Sequence, residues 1–209
     1  AACAEAWPVP VAIRVNGTGS EWREADLEAV ARSRAAYVVV PRAKSAKDVP
    51  EIAGKPVLAM IETAAGVIAA PEIARHCAGL IAGTNDLRAD LRLPLDAGRE
   101  SISAALQWIV LAARAAGIIA IDGVFNGLED EAGFLAEARA GRALGFDGKS
   151  LIHPKQIAPC HAAFAPTEAE IARARALVEA FSGGAERLGD EMIERMHVEA
   201  AKRVLGRIG

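Results

Sequence analysis

Glu62 and Asp86 are the two residues of this chain best placed to do chemistry. Glu62 closes the apolar run Pro56-Val57-Leu58-Ala59-Met60-Ile61, and Asp86 follows Gly79-Leu80-Ile81-Ala82-Gly83. Each carboxylate therefore lies just past the C-terminal end of what reads as a buried strand. A charge placed there is costly to desolvate unless a cation or a donor pairs it. In parallel α/β proteins that edge is also where ligands bind. Two carboxylates converging at a barrel mouth suit a hard divalent cation such as Mg²⁺, which takes few protein carboxylates and completes its octahedron with water and substrate oxygens. The same positions also suit acidic groups at the starts of the helices that follow. Spacing alone leaves both readings open.

Other strand ends carry further candidates. Arg14, in Ile13-Arg14-Val15-Asn16-Gly17, can fork onto a substrate carboxylate or steady an enolate oxygen, or it can serve a structural ion pair. Asp122 is another strand-end acid. His153, before Pro154, reads as a hydrogen-bonded structural group more readily than as a catalyst. Glu194, inside Met192-Ile193-Glu194-Arg195-Met196-His197, is by default a solvated helix charge. There is no Walker A, no G-x-G-x-x-G and no G-x-S-x-G.

The elements that must position these residues alternate in type. Continuous apolar runs predict strands at Val9–Val15, Tyr37–Val40, Pro56–Ile61, Gly79–Ala82, Ile118–Ile121 and Lys149–Ile152, of the kind buried on both faces. Between them lie helix signals. Ser45 with Asp48 and Thr167 with Glu170 form capping patterns. Ile102, Leu106, Ile109 and Ala113 recur at helical spacing, and Phe134, Leu135 and Ala138 make a shorter stripe that Gly145 can stop. Pro71 is expected to open a new turn after Ala64–Ala70. Ala1–Ala6 reads as the tail of a helix. A doubly wound sheet is possible, but the βα series fits better an α/β (β/α)8 TIM barrel lacking its first two βα units, followed by a C-terminal helical extension. The expected organisation is a barrel domain over 1–181 and an extension over 182–209. A flexible Ser182-Gly183-Gly184 joint would lead to an amphipathic helix over Asp190–Gly209, with Ile193, Met196, Ala200 and Val204 on one face.

Composition bounds the function classes. The 209 residues, 52% hydrophobic and 24% charged, can build a sizeable core, made mainly of Ala, Val, Ile and Leu because aromatics supply only 4%. A net charge of -3 gives no electrostatic case for nucleic acid or an anionic membrane surface. Cys3, Cys77 and Cys160 are scattered and form no metal or disulfide pattern, so incidental thiols in a reducing, cytoplasmic setting are expected. No apolar run reaches membrane-spanning length.

Taken in order, IRVNG, MIETAAGV, AGTNDL, AARAAGIIAIDGV, ALGFDGKSLIHPKQI and MIERMHVEAAKRVL resemble the HpcH/HpaI aldolase/citrate lyase superfamily, in its citrate lyase β-subunit-like (CitE-like) CoA-ester lyase branch. The similarity runs from about Val9 to Leu205. It implies a TIM barrel that uses Mg²⁺ to cleave or form a C–C bond beside a thioester of the malyl-CoA, citramalyl-CoA or citryl type, giving an oxo-acid. On that pattern Glu62 and Asp86 are the metal ligands, Arg14 orients substrate, and the backbone around Gly83-Thr84 lines the oxo-acid pocket. Glu194, where Asp is usual, takes the place of an acid/base carboxylate supplied to a neighbouring subunit. A homo-oligomer, trimeric or hexameric, and an acyl carrier protein as alternative substrate arm are implied partners. A non-catalytic homologue serving as an oligomeric partner is the rival. The chain departs from the family where Leu-Pro-Lys-x-Glu becomes Val40-Pro41-Arg42-Ala43-Lys44, a base replacing an acid near the mouth.

Overall fold

The computed structural model describes residues 8–52 and 54–208. The readings of Ala1–Ala6 and of Cys3 lie outside them. The chain divides into two compact units, Ala1–Ala163 and Phe164–Gly209.

The first unit is built on six parallel strands: β1 (Ala12–Arg14), β2 (Tyr37–Val40), β3 (Val57–Ile61), β4 (Gly79–Ala82), β5 (Ile119–Asp122) and β6 (Gly148–Lys149). They pair in chain order, β1-β2-β3-β4-β5-β6. A doubly wound sheet reverses its order at a switch point. This sheet never reverses, and β1 and β6 each have one neighbour, so it is a partial barrel wall. Helices α1 (Arg23–Ala31), α2 (Ala64–Ile73), α3 (Thr84–Asp90), α4 (Ser103–Ala116), α5 (Glu131–Leu144) and α6 (Ile157–Phe164) fall between and after the strands.

The two faces of the sheet differ. Val38, Val40, Ala59, Ile61, Leu80 and Ala120 have no exposed surface, whereas their strand neighbours Val39, Leu58 and Ile81 retain a little and cluster with Tyr37, Met60 and Ile121. Continuous apolar runs thus serve one sealed face and one partly open one, rather than two sealed faces. The predicted stripe on α4 is buried throughout at Ile102, Leu106, Ile109 and Ala113, the first of these in the 3-10 turn that leads into the helix. Left-handed glycines stop α4 at Gly117 and α5 at Gly145, with φ of 70° and 102°.

Several boundaries move for physical reasons. β1 starts three residues later than expected, because Pro8 and Pro10 bring no N–H to a ladder. Helix α2 continues through Pro71, which forgoes one N–H near its end, and tightens into a 3-10 turn at Ala74–His76. β6 ends at Lys149 instead of beginning there: the Ile152 amide turns to Gln156 Oε1 at 3.1 Å, and His153 caps a 3-10 turn at Pro154–Gln156.

The second unit contains α7 (Glu168–Ala180), an antiparallel hairpin of β7 (Glu186–Leu188) and β8 (Glu191–Ile193), and α8 (Arg195–Leu205). Thr167 and Glu170 cap α7 reciprocally, at 2.7 and 3.2 Å. Its core is Ala174, Leu177, Ile193 and Ala201, joined by Val178, Phe181, Leu188, Val204 and Leu205. The boundary expected between 181 and 182 therefore falls inside this unit, because α7 packs with α8. The expected single helix over 190–209 is instead a strand followed by α8. That helix buries Val198 and Ala201 and leaves Met196 exposed. No helix among the described residues is long and apolar enough to cross a membrane.

Candidate functional site

Because the strands are parallel and in order, their C-terminal ends form one edge, carrying Arg14, Arg42, Glu62, Gly83–Asp86, Asp122 and Lys149. Glu62 is buried at 4% exposure, yet it does not cap α2. Thr63 Oγ1 accepts the Gly66 amide at 3.0 Å and Asp90 Oδ2 accepts the Ala64 amide at 2.7 Å, so the helix start is served by other residues. Glu62 Oε1 instead accepts the backbone N–H of Arg42 at 2.7 Å. No donor among the described residues reaches Oε2.

Gly83 makes room for that carboxylate. A Cβ at position 83 would lie 2.4 Å from Glu62 Cβ and 2.6 Å from Oε2, closer than unbonded atoms come. The Gly83 N–H is itself taken by Ile61 O at 2.9 Å, so any backbone donor to a ligand must come from Thr84 onward. Thr84 is buried and fits only because Gly123 has no side chain: a Cβ there would lie 2.4 Å from Thr84 Cγ2.

Asp86 stands in the first turn of α3 with its side chain 55% exposed and meets Arg42 Nη1 at 3.2 Å. Arg42 thus touches both acids. Its φ of 52° places it in the left-handed region, unusual for a residue with a Cβ. Burial pushes the Glu62 carboxyl above its ordinary value, partly offset by the Arg42 amide; the Asp86 charge pushes the same way as burial, and the Arg42 and Arg14 charges oppose it. Arg14 is exposed at the end of β1 and makes no ion pair with the described residues, although its charge is felt at Glu62.

A hard cation fits this donor set. No cluster of three or more His, Cys, Asp or Glu groups occurs among the described residues, so an ion here would take the two carboxylates and complete its shell with water and ligand oxygens. That is the habit of Mg²⁺ rather than of structural Zn²⁺. Beside the acids, a cleft of about 470 Å³ is lined by Thr84, Asn85, Arg88, Arg99, Phe125 and Asn126, among others. The amides of Asn85 and Asn126 hydrogen-bond reciprocally across it, at 2.8 and 3.2 Å.

A second charge cluster lies under the ends of β5 and β6. Asp122 is fully buried and receives Arg99 Nη2 at 2.8 Å and Lys149 Nζ at 3.1 Å. Glu137 receives Lys149 at 2.6 Å and Arg99 at 3.2 Å. The sequence reading starts a strand at Lys149; the residue instead ends β6, with its side chain buried and tied to two acids. The signal available was an acid and a base at matched strand ends, since Asp122 and Lys149 are register partners. Gln156 was also missed: it is buried, its Nε2 donates to Phe125 O at 3.0 Å, and its Oε1 takes the Ile152 amide. His153 Nδ1 accepts the Lys155 amide at 3.1 Å, a structural role. Cys77 and Cys160 are free thiols, and burial pushes both up. Glu194 lies in the second unit at the N-cap of α8, where its amide donates to His197 Nδ1 at 2.9 Å.

Fold and edge together define a partial parallel α/β barrel with a cation-ready pair of acids at its carboxyl rim. The model of the HpcH/HpaI aldolase/citrate lyase family matches residues 1–154, and the chain belongs to that family. It is 40% identical over 208 residues to the (3S)-malyl-CoA thioesterase of Cereibacter sphaeroides (strain ATCC 17023), covering 93% of this chain and 73% of that one. It is 36% identical over 219 residues to the citrate lyase subunit beta of Escherichia coli (strain K12), covering 93% and 72%. Among solved structures, CitE from Mycobacterium tuberculosis in complex with magnesium, acetoacetate and coenzyme A superposes with a TM-score of 0.84 at 34% identity, covering 94% of this chain and 77% of that one.

Proposed function

We propose that this protein is a Mg²⁺-dependent carbon–carbon lyase that cleaves a 3-hydroxyacyl-CoA of the malyl-CoA or citramalyl-CoA type into an oxo-acid and an acyl-CoA. The observation that carries the reading is the Glu62–Asp86 pair with the unpaired Arg14 beside it. Magnesium and coenzyme A in the related CitE complex support the choice of ion and of thioester. We read the six strands as part of an eight-stranded barrel.

Mg²⁺ bound at Glu62 and Asp86 would supply Lewis-acid polarisation of the substrate oxygens. Arg14, with no ion-pair partner among the described residues, binds the substrate carboxylate or the oxygen that gains charge as the C–C bond breaks. The backbone from Gly83 to Thr84 walls the oxo-acid. The neighbouring cleft, in the size range of small-molecule sites, takes the acyl end. Loss of the hydroxyl proton with cleavage of the bond between the hydroxyl-bearing carbon and the thioester α-carbon leaves an oxo-acid and a thioester enolate. The enolate takes one proton at carbon, which balances the proton given up at oxygen. Glu194, delivered from a neighbouring subunit of a homo-oligomer by the C-terminal extension, is the proposed donor. A citryl thioester on an acyl carrier protein is the variant of this reading that the citrate lyase beta relative supports.

A second reading, hydrolysis of the thioester, is favoured by the name of the malyl-CoA relatives. An assay of the protein with malyl-CoA and citramalyl-CoA, with Mg²⁺ and then EDTA, separates them. Oxo-acid release without free thiol, abolished by EDTA, is expected. Free CoA without oxo-acid would replace the lyase by the hydrolase. No turnover of either ester would move the substrate to a carrier protein or favour a non-catalytic partner.

A further inference from the structure

Arg42 is the residue whose geometry the proposed reaction does not explain. It holds a left-handed backbone conformation, donates its amide to Glu62 Oε1 at 2.7 Å, and sends its guanidinium to Asp86 at 3.2 Å. One residue thereby engages both candidate metal ligands, by two chemically separate groups. The amide contact depends on the backbone alone. The guanidinium contact supplies positive charge to an acid that would otherwise face a second carboxylate, and like charges at one site oppose each other.

We infer that Arg42 is a positioning residue whose guanidinium stands in for the metal cation at Asp86, and that a divalent ion must displace it to bind. The inference rests on the metal reading of Glu62 and Asp86. It divides the residue's work in two. The amide keeps Glu62 aimed whether or not an ion is present. The guanidinium stabilises the metal-free form and competes with the metal-bound one, because Asp86 cannot give the same oxygen fully to both. Once displaced, a half-exposed guanidinium on the rim becomes a second cation, beside Arg14, for an anionic part of the substrate.

Arg42→Met separates the two groups, since it keeps the amide and the side-chain length and removes the charge. Mg²⁺ alone is titrated calorimetrically into the full chain and into Arg42→Met and Arg42→Lys, and thermal unfolding is followed in EDTA and in saturating Mg²⁺. The expected result is Mg²⁺ binding about 2- to 5-fold tighter in Arg42→Met, the weight of one exposed ion pair, with Arg42→Lys between. The melting temperature should fall in EDTA and recover in Mg²⁺, and the affinity gap should narrow as salt screens the pair. Equal or weaker Mg²⁺ binding in Arg42→Met, or an equal loss of melting temperature in EDTA and Mg²⁺, overturns the inference while leaving the metal site standing. No Mg²⁺ binding by the unaltered protein overturns the metal reading, and this inference with it.

Discussion

Two clusters on the same edge of the sheet contain the same charges and use them differently. Under β5 and β6, Arg99 and Lys149 face Asp122 and Glu137, and all four ion pairs lie between 2.6 and 3.2 Å. Across β1 to β4, Arg14 and Arg42 face Glu62 and Asp86, yet only Arg42 makes contact. The first cluster is fully paired, with Asp122 and the Lys149 side chain wholly buried and only Arg99 and Glu137 showing some surface to the cleft. The second is open: among the described residues one arginine has no ion pair and one carboxylate oxygen has no donor. A closed set of charges spends its pairing on its own members, whereas an open set has a cation and an anion with pairing to spare. Two acids and two bases are therefore a closed rivet in one place and an open rim in the other, and pairing geometry decides which.

The largest effect that could break this contrast is expected at Lys149. Lys149→Met leaves Asp122 buried with Arg99 as its remaining ion-pair partner and should cost about 3–5 kcal/mol, read from urea denaturation. A loss no larger than that of a rim variant would erase the distinction. Gly83→Ala should come next. Its methyl meets Glu62 Cβ at 2.4 Å and Oε2 at 2.6 Å, so a stability loss of about 1–3 kcal/mol is expected, together with weakened Mg²⁺ binding by calorimetry. Asp86→Asn should change stability by under about 0.5 kcal/mol, because the side chain is half exposed. In the same variant Mg²⁺-dependent turnover should be lost; unchanged turnover would remove Asp86 from the metal site.

The smallest effect sharpens the comparison through pH. Glu62 in the folded protein holds its proton to a pH above its ordinary 4.5. The folded state therefore binds more protons than the unfolded one in the window from that value up to the raised one. Stability should be fully present below the window and decline as pH rises through it, and Glu62→Gln should flatten that slope in denaturation series. Mg²⁺ binding, which needs the carboxylate ionised, should weaken on acidification earlier than an ordinary glutamate would impose.

Much of the open cluster was legible in the sequence, because each member sits at the end of an apolar run and strand ends share one edge in a parallel sheet. Arg14, Glu62 and Asp86 needed only that rule. The closed cluster was harder to read. Asp122 was visible, but Lys149 looked like the start of a strand until the His153-Pro154 turn and the Gln156 amide were seen to end β6 there. Arg99 and Glu137 come from a turn and a helix whose relation to the strand ends is set by packing, not by spacing. The hairpin of β7 and β8 was missed because three-residue strands are too short to show a period, and the exposed Met192 and Met196 beside buried Ile193 and Val198 imitate a helical stripe.

Gln156 has a mechanical consequence. Its amide joins Phe125 O, on the wall of the cleft, to the Ile152 amide beyond β6. The loop after β5 and the turn after β6 are thereby one linkage with a single buried pin. Any breathing that widens the cleft at Phe125 must carry the His153-Pro154 turn with it or break the pin, so the stiffness of the cleft wall is set from a turn that contributes no residue to it.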